Sequence, residues 1–113
     1  MSIMQASSQQ LTASRLERLA QMVRKQQVSP VMARTIDKLF ELEREESRRQ
    51  LEQIQEDLRA LEVQYGMDSE AFYRKYQAGE TDDRMDFVEW ASLVQMATNL
   101  KERLALLDVE AEE

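Results

Sequence analysis

The stretch PVMARTIDKLFELEREESRRQLEQIQEDLRALEVQYG, residues 30–66, decides the fold. Ser29 stands before it as a capping side chain, and Pro30 suits the first helical position, where its missing N–H costs nothing. No glycine or second proline follows until Gly66, the natural left-handed terminator after Tyr65. The spacing predicts one helix over 30–65. At 1.5 Å per residue it would run roughly 52 Å. A compact globule of this chain length is only ~35 Å across. Such a helix must bend, or belong to an elongated molecule that a second chain helps to cover.

Along the helix the apolar pattern changes twice. Val31, Ile36, Leu39 and Phe40 open it, and residues 43–50, EREESRRQ, contain no apolar side chain. Pairs such as Glu45–Arg49 and Arg48–Glu52 can support that middle zone, which reads as a solvated stretch. A polar layer that sets register between partners is the sharper alternative. Leu51, Ile54, Leu58, Leu61 and Tyr65 then follow at alternating spacings of three and four, a heptad-like seam. A matching seam, Trp90, Leu93, Ala97, Leu100, Leu104 and Leu107, predicts a last helix over 84–107. Equal periods let the two seams pair as antiparallel helices, but within one chain or across a dimer alike.

The remaining segments fall around this pair. Residues 1–10 are small and polar and read as a flexible start. A basic helix is expected over 11–28, with Leu16, Leu19, Ala20 and Val23 on one face. Asp68 or Ser69 caps a short helix over 69–78 that Gly79 ends, and Asp82 or Asp83 is the expected cap of the last helix. Residues 108–113 read as an acidic tail without regular structure. The fold class is therefore all-α: an elongated helical hairpin or coiled-coil-like bundle, completed by dimerisation through Ile36, Leu39, Phe40, Leu51, Ile54, Leu58 and Leu61.

Composition narrows the function. The 113 residues include no cysteine and no histidine, so disulfides, thiolate metal sites, histidine triads and the usual zinc sites are excluded. Two glycines and one proline cannot build a phosphate-cradling loop. Glu41, Glu45, Glu52, Glu56, Asp86 and Glu89 are the carboxylates available for a magnesium site. They lack the paired spacing of helical pyrophosphatases, and Arg49 beside Glu45 and Glu46 opposes a cation. The expectation is a protein that is no enzyme and needs no cofactor.

The net charge of −7 is unevenly distributed. Residues 1–38 hold six basic and two acidic groups, net +4, and residues 39–113 hold nine and twenty, net −11. Arg15, Arg18, Arg24 and Lys25 are candidate nucleic-acid contacts. DNA binding is not favoured, because two-thirds of the chain is strongly negative and the glycine turn of a helix-turn-helix is missing. No apolar run approaches the ~20 residues of a membrane span, and the start MSIMQASSQQ has neither a basic nor an apolar leader region. The expectation is a cytoplasmic protein with no membrane contact.

The densest candidate site lies around residues 73–90. Asp82, Asp83, Asp86 and Glu89 gather acid beside Phe87 and Trp90, with Tyr73 just before, and an aromatic anchor ringed by charge is the make-up of a binding hot spot. The alternative is that the aromatics pin the short helix to the helical pair. Here the sequence also resembles a known family. Tyr65-Gly66-Met67, Ser69-Glu70, Phe72-Tyr73, Gly79-Glu80, Asp82-Asp83 and Asp86-Phe87-x-Glu89-Trp90 look like a small all-helical protein family of bacteria and archaea associated with toxin–antitoxin-type gene pairs. The resemblance covers about Leu51 to Leu107 and carries no catalytic residue. It implies an antitoxin or accessory partner, a homodimer that binds a basic toxin encoded nearby through this acidic and aromatic surface. A homo-oligomeric scaffold without a toxin, and a DNA-binding regulator using the basic helix, are the rival expectations.

Overall fold

The structure, a computed structural model, describes residues 7–108. Among them are four helices and no strand: α1 Ser8–Arg24, α2 Pro30–Tyr65, α3 Ser69–Gln77 and α4 Met85–Leu107. The chain is all-α with one long helix, as the unbroken stretch after Ser29 predicts. It divides into two compact units, Met1–Lys38 and Leu39–Glu113, so that α2 starts in the first and ends in the second.

Local chemistry accounts for most helix ends. Ser29 Oγ accepts the Met32 N–H at 3.1 Å and so caps α2. Gly66 ends α2 at φ +65°, and the Met67 N–H reaches back to the Glu62 carbonyl, the closing bond of a left-handed helix stop. Asp68 caps α3, and Gly79 at φ +73° ends it the same way, with the Glu80 N–H on the Lys75 carbonyl. Two boundaries differ from expectation. α1 begins at Ser8, because Ser7 and Gln10 form a reciprocal capping box within the polar start. It stops at Arg24 rather than running to Gln27, since Gln26 takes φ +57°. Residues 1–6 and 109–113 lie outside the described residues, and so does most of the expected acidic tail.

The second unit is built on the two seams, which pair within one chain. Ile54 packs with Ala97 and Leu100, flanked by Leu51, Leu58 and Leu93. Tyr65, at the end of α2, bonds to Asp86 near the start of α4, and Arg44, in the interior of α2, bonds to the Leu107 carbonyl at the end of α4 at 2.8 Å. Residue numbers fall along α2 as they rise along α4, so the pairing is antiparallel. Leu51, Ile54, Leu58 and Leu61, expected to hold a dimer together, are thus consumed inside the chain.

The middle zone is not wholly solvated either. Ser47 is 1% exposed, in register four residues before Leu51, and its hydroxyl makes no hydrogen bond. A side chain this small fits a buried position that a leucine, the residue type of the seam, would overfill. Nearby, the Arg44 Nε lies 3.0 Å from the Asp108 carboxylate, as an ion pair without hydrogen-bond alignment. Asp108, expected to be part of a loose tail, therefore closes the C-terminal end of α4. In the exposed part of the zone Glu46 pairs with Arg49 and Gln50, in place of the expected Glu45–Arg49 pair.

α3 completes this unit. Phe72 and Trp90, 1% and 0% exposed, stack with ring centroids 4.0 Å apart, and Ala91 closes over them. Burying a phenylalanine is worth about 1.5–3 kcal/mol, and a stacked aromatic pair adds about 0.5–1.5 kcal/mol. The first unit is different: no described residue before Ser47 is buried. Leu19, Ala20, Val28 and Ile36 are only half-buried there.

Candidate functional site

The expected acidic and aromatic surface is largely an internal clamp. Tyr65, at the last turn of α2, donates its hydroxyl to Asp86 in the first turn of α4. This bond, with some desolvation, raises the Tyr65 hydroxyl above its ordinary pKa. The Trp90 indole N–H donates to Ser69 Oγ at 2.9 Å, and the Ser69 N–H donates to Glu62 at 2.9 Å. One chain of bonds so ties α4 to the start of α3 and the end of α2. Asp82 and Asp83 do not cap α4: its N-cap is Arg84, with no side-chain cap bond. Asp82 turns instead to Arg84, accepting from its backbone N–H at 3.0 Å, Nε at 2.9 Å and Nη2 at 2.8 Å. The guanidinium and that N–H hold the Asp82 carboxyl below its usual range, and Arg84 is raised in turn. The same guanidinium lies 4.7 Å from the centre of the Phe87 ring.

Each expected site residue can therefore be placed. Trp90 has no exposed surface and cannot anchor a partner. Phe87 and Tyr73 are half-buried against the Phe72–Trp90 stack. Asp86 is bound to Tyr65 and Asp82 to Arg84, which leaves Asp83 and Glu89 as exposed carboxylates of the group. Among the described residues no group of three or more acidic side chains is arranged to hold a metal ion. A shallow hollow of about 460 Å³ lies between the end of α2 and Asp68. Its Arg59, Glu62 and Asp68 are of mixed sign, and Glu62 is already engaged by Ser69.

Each unit also exposes large apolar side chains that were not expected in full. Leu11, Leu16, Met22 and Val23 on α1 are 41–55% exposed, and Val31 and Met32 at the start of α2 are 64% and 40% exposed. In the other unit, Leu39, Phe40 and Leu42 are 58%, 41% and 50% exposed, one turn before Arg44 meets the end of α4. Soluble surfaces tolerate single apolar residues, but several large ones on one short segment, as in Leu39, Phe40 and Leu42, are less usual. Of the expected self-association residues only Leu39 and Phe40 are among these, and Ile36 is half-buried. Arg15, Arg18, Arg24 and Lys25, the candidate nucleic-acid contacts, are all exposed on or just after α1. The signal was in the sequence: Leu11, Met22, Met32 and Leu42 are large apolar residues that fall outside the two heptad seams.

Comparison with protein-family models, with curated proteins and with solved structures returned no match. No described helix is long and apolar enough to cross a membrane.

Proposed function

We propose that this chain is a non-catalytic protein-binding module, and that it acts as the antitoxin-like partner of a basic protein encoded beside it. The observation that carries the binding reading is that each unit exposes large apolar side chains, Leu11, Leu16, Met22 and Val23 in the first and Leu39, Phe40 and Leu42 in the second. The second unit supplies the charge for a basic partner, since residues 39–113 are net −11 and Asp83 and Glu89 are exposed beside the Arg84–Phe87 edge. A field of that sign speeds encounter with a basic surface more than it deepens affinity.

Co-expression with the neighbouring gene product tests this reading. A stable complex and rescue of growth are expected. The double variant Asp83→Lys, Glu89→Lys should lose the partner and keep its helical circular dichroism, because neither carboxylate makes an internal contact described above. Absence of a complex and of rescue would overturn the antitoxin role. A homo-oligomeric scaffold is the second reading, favoured by the same apolar side chains, and it predicts that the double variant behaves as wild type. Loss of any nucleic-acid binding on removal of residues 1–28, with a steep salt dependence beforehand, would point instead to the exposed basic helix.

A further inference from the structure

α4 has a second apolar face. Trp90, Ala97 and Leu100 turn one side of it into the chain, yet Met85, Val88, Met96 and Leu106 stay 74%, 42%, 49% and 77% exposed. α2 differs: its apolar residues keep more strictly to one side, and its exposed positions beside the seam carry Glu52, Glu56, Asp57 and Arg59. A helix that is apolar around more of its circumference is one that is covered on more than one side.

Charge makes the same point. Charged residues are 33% of the chain, but there is none from Trp90 to Leu100. The exposed positions of that run are Ser92, Gln95, Met96, Thr98 and Asn99. Depletion of charge together with exposed methionine is the composition of an interface centre.

The order of residues names the occupant. Exposed residues at helical spacing form one stripe along α4, and its two halves match about the midpoint between Gln95 and Met96. Met85 lies as far to one side as Leu106 to the other, Val88 as far as Arg103, and Ser92 as far as Asn99. An unrelated partner needs no such symmetry. A two-fold contact does, because residue i meets j and j meets i. Two units that are each net −11 also repel, and the uncharged stripe is the face on which they approach at least cost.

We propose that α4 pairs antiparallel with α4 of a second copy, about a two-fold axis between Gln95 and Met96, so that two α2–α4 pairs form a four-helix arrangement. Met85 then meets the partner subunit's Leu106, apolar end on apolar end. Ser92 faces the partner subunit's Asn99, a polar pair of the kind that fixes register. Arg103 comes beside the partner subunit's Glu89. Both are exposed in the chain, so this pair favours the antiparallel direction and adds little to the strength. The inference does not rest on the toxin-binding role.

Mass measurement by light scattering on the full chain tests it. Wild type should be a dimer. Met96→Glu and Met96→Lys each set like charges against each other at the axis and should weaken dimerisation about tenfold or more. Mixing the two should restore it as a one-to-one heterodimer. Unchanged circular dichroism would verify that each variant folds. Direction is read separately, since the chain has no cysteine of its own. Under mild oxidation Gln95→Cys should cross-link with itself, because facing positions at the axis lie within the disulfide reach of about 7 Å between Cα atoms. Met85→Cys and Leu106→Cys should cross-link only when mixed. A monomeric wild type, Met96 variants that dimerise as well as wild type, or a mixture that stays monomeric would each overturn the proposal. So would a Gln95→Cys chain that does not cross-link, or a Met85→Cys chain that cross-links with itself. Every measurement uses the chain alone, so the outcome is separate from whether the neighbouring gene product binds.

Discussion

The two units use the same raw material, amphipathic helix, to opposite ends. In the second unit, Ile54, Phe72, Trp90, Ala91, Ala97 and Leu100 are all under 8% exposed. In the first unit, apolar side chains of similar size stay at 40–64% exposure. The difference is one of available partners. Leu51 to Tyr65 meet both α3 and α4 of their own chain, whereas α1 has no third helix in its unit to close over it. One unit is a finished core and the other keeps its large apolar side chains at the surface.

The sharpest way to break this contrast is Trp90→Ala. It empties the centre of the finished core and removes the bond to Ser69, so urea denaturation should show a loss of about 3–5 kcal/mol. Next comes a matched pair. Ile54→Ala should cost about 2–5 kcal/mol in the same measurement. Leu16→Ala should leave the second unit's transition within about 0.5 kcal/mol of wild type, as for an exposed site. Equal losses at the two positions would erase the distinction between the units.

Smaller effects sharpen the account of the core. Ser47→Leu should overpack the α2–α4 contact and cost about 1–3 kcal/mol. Ser47→Ala removes a buried hydroxyl that has no partner, so it should be neutral or stabilising. Gly66→Ala should cost about 1–2 kcal/mol, through its φ of +65° alone, because nothing lies within 4 Å of the added methyl.

The pH dependence should be modest, with a sign that can be worked out. The Tyr65 hydroxyl is raised by its bond to Asp86. A raised pKa gives stability that is present below the unfolded value of 10.0 and lost as pH rises through the folded one. Asp82 is lowered by Arg84, so its contribution is present above the unfolded value of 3.8 and disappears as pH falls through the folded one. A thermal melt of Tyr65→Phe should therefore lose the wild-type decline in Tm between neutral pH and strongly alkaline pH, and Asp82→Asn should flatten the acid side.

Much of this was legible in the sequence where the chemistry is local. Pro30, Gly66 and Gly79 fixed helix ends because their backbone preferences act within a residue or two. Ser7 and Gln10 carried a legible capping signal that a polar, small-residue start concealed. The candidate site was harder. Asp82 and Asp83 suit a helix cap by residue type, but the fold places Arg84 to take Asp82 and leaves the α4 N-terminus without a side-chain cap. Trp90 beside four acids has the composition of a hot spot, and composition does not say which way the indole points.

By itself, the sequence determined that the chain is helical, where α2 stops, and that two seams of one period exist on α2 and α4. A period defines which face of a helix is apolar, through the fixed angle between successive residues. It contains no information about which helix will cover that face. Only the tertiary structure decided that the α2 and α4 seams meet within one chain, that Ser47 is buried, and that Asp86 serves Tyr65. Those outcomes depend on α3 folding the chain back through the Gly66 and Gly79 turns. The same fold leaves the apolar side chains of α1 and of Leu39–Leu42 exposed at its surface.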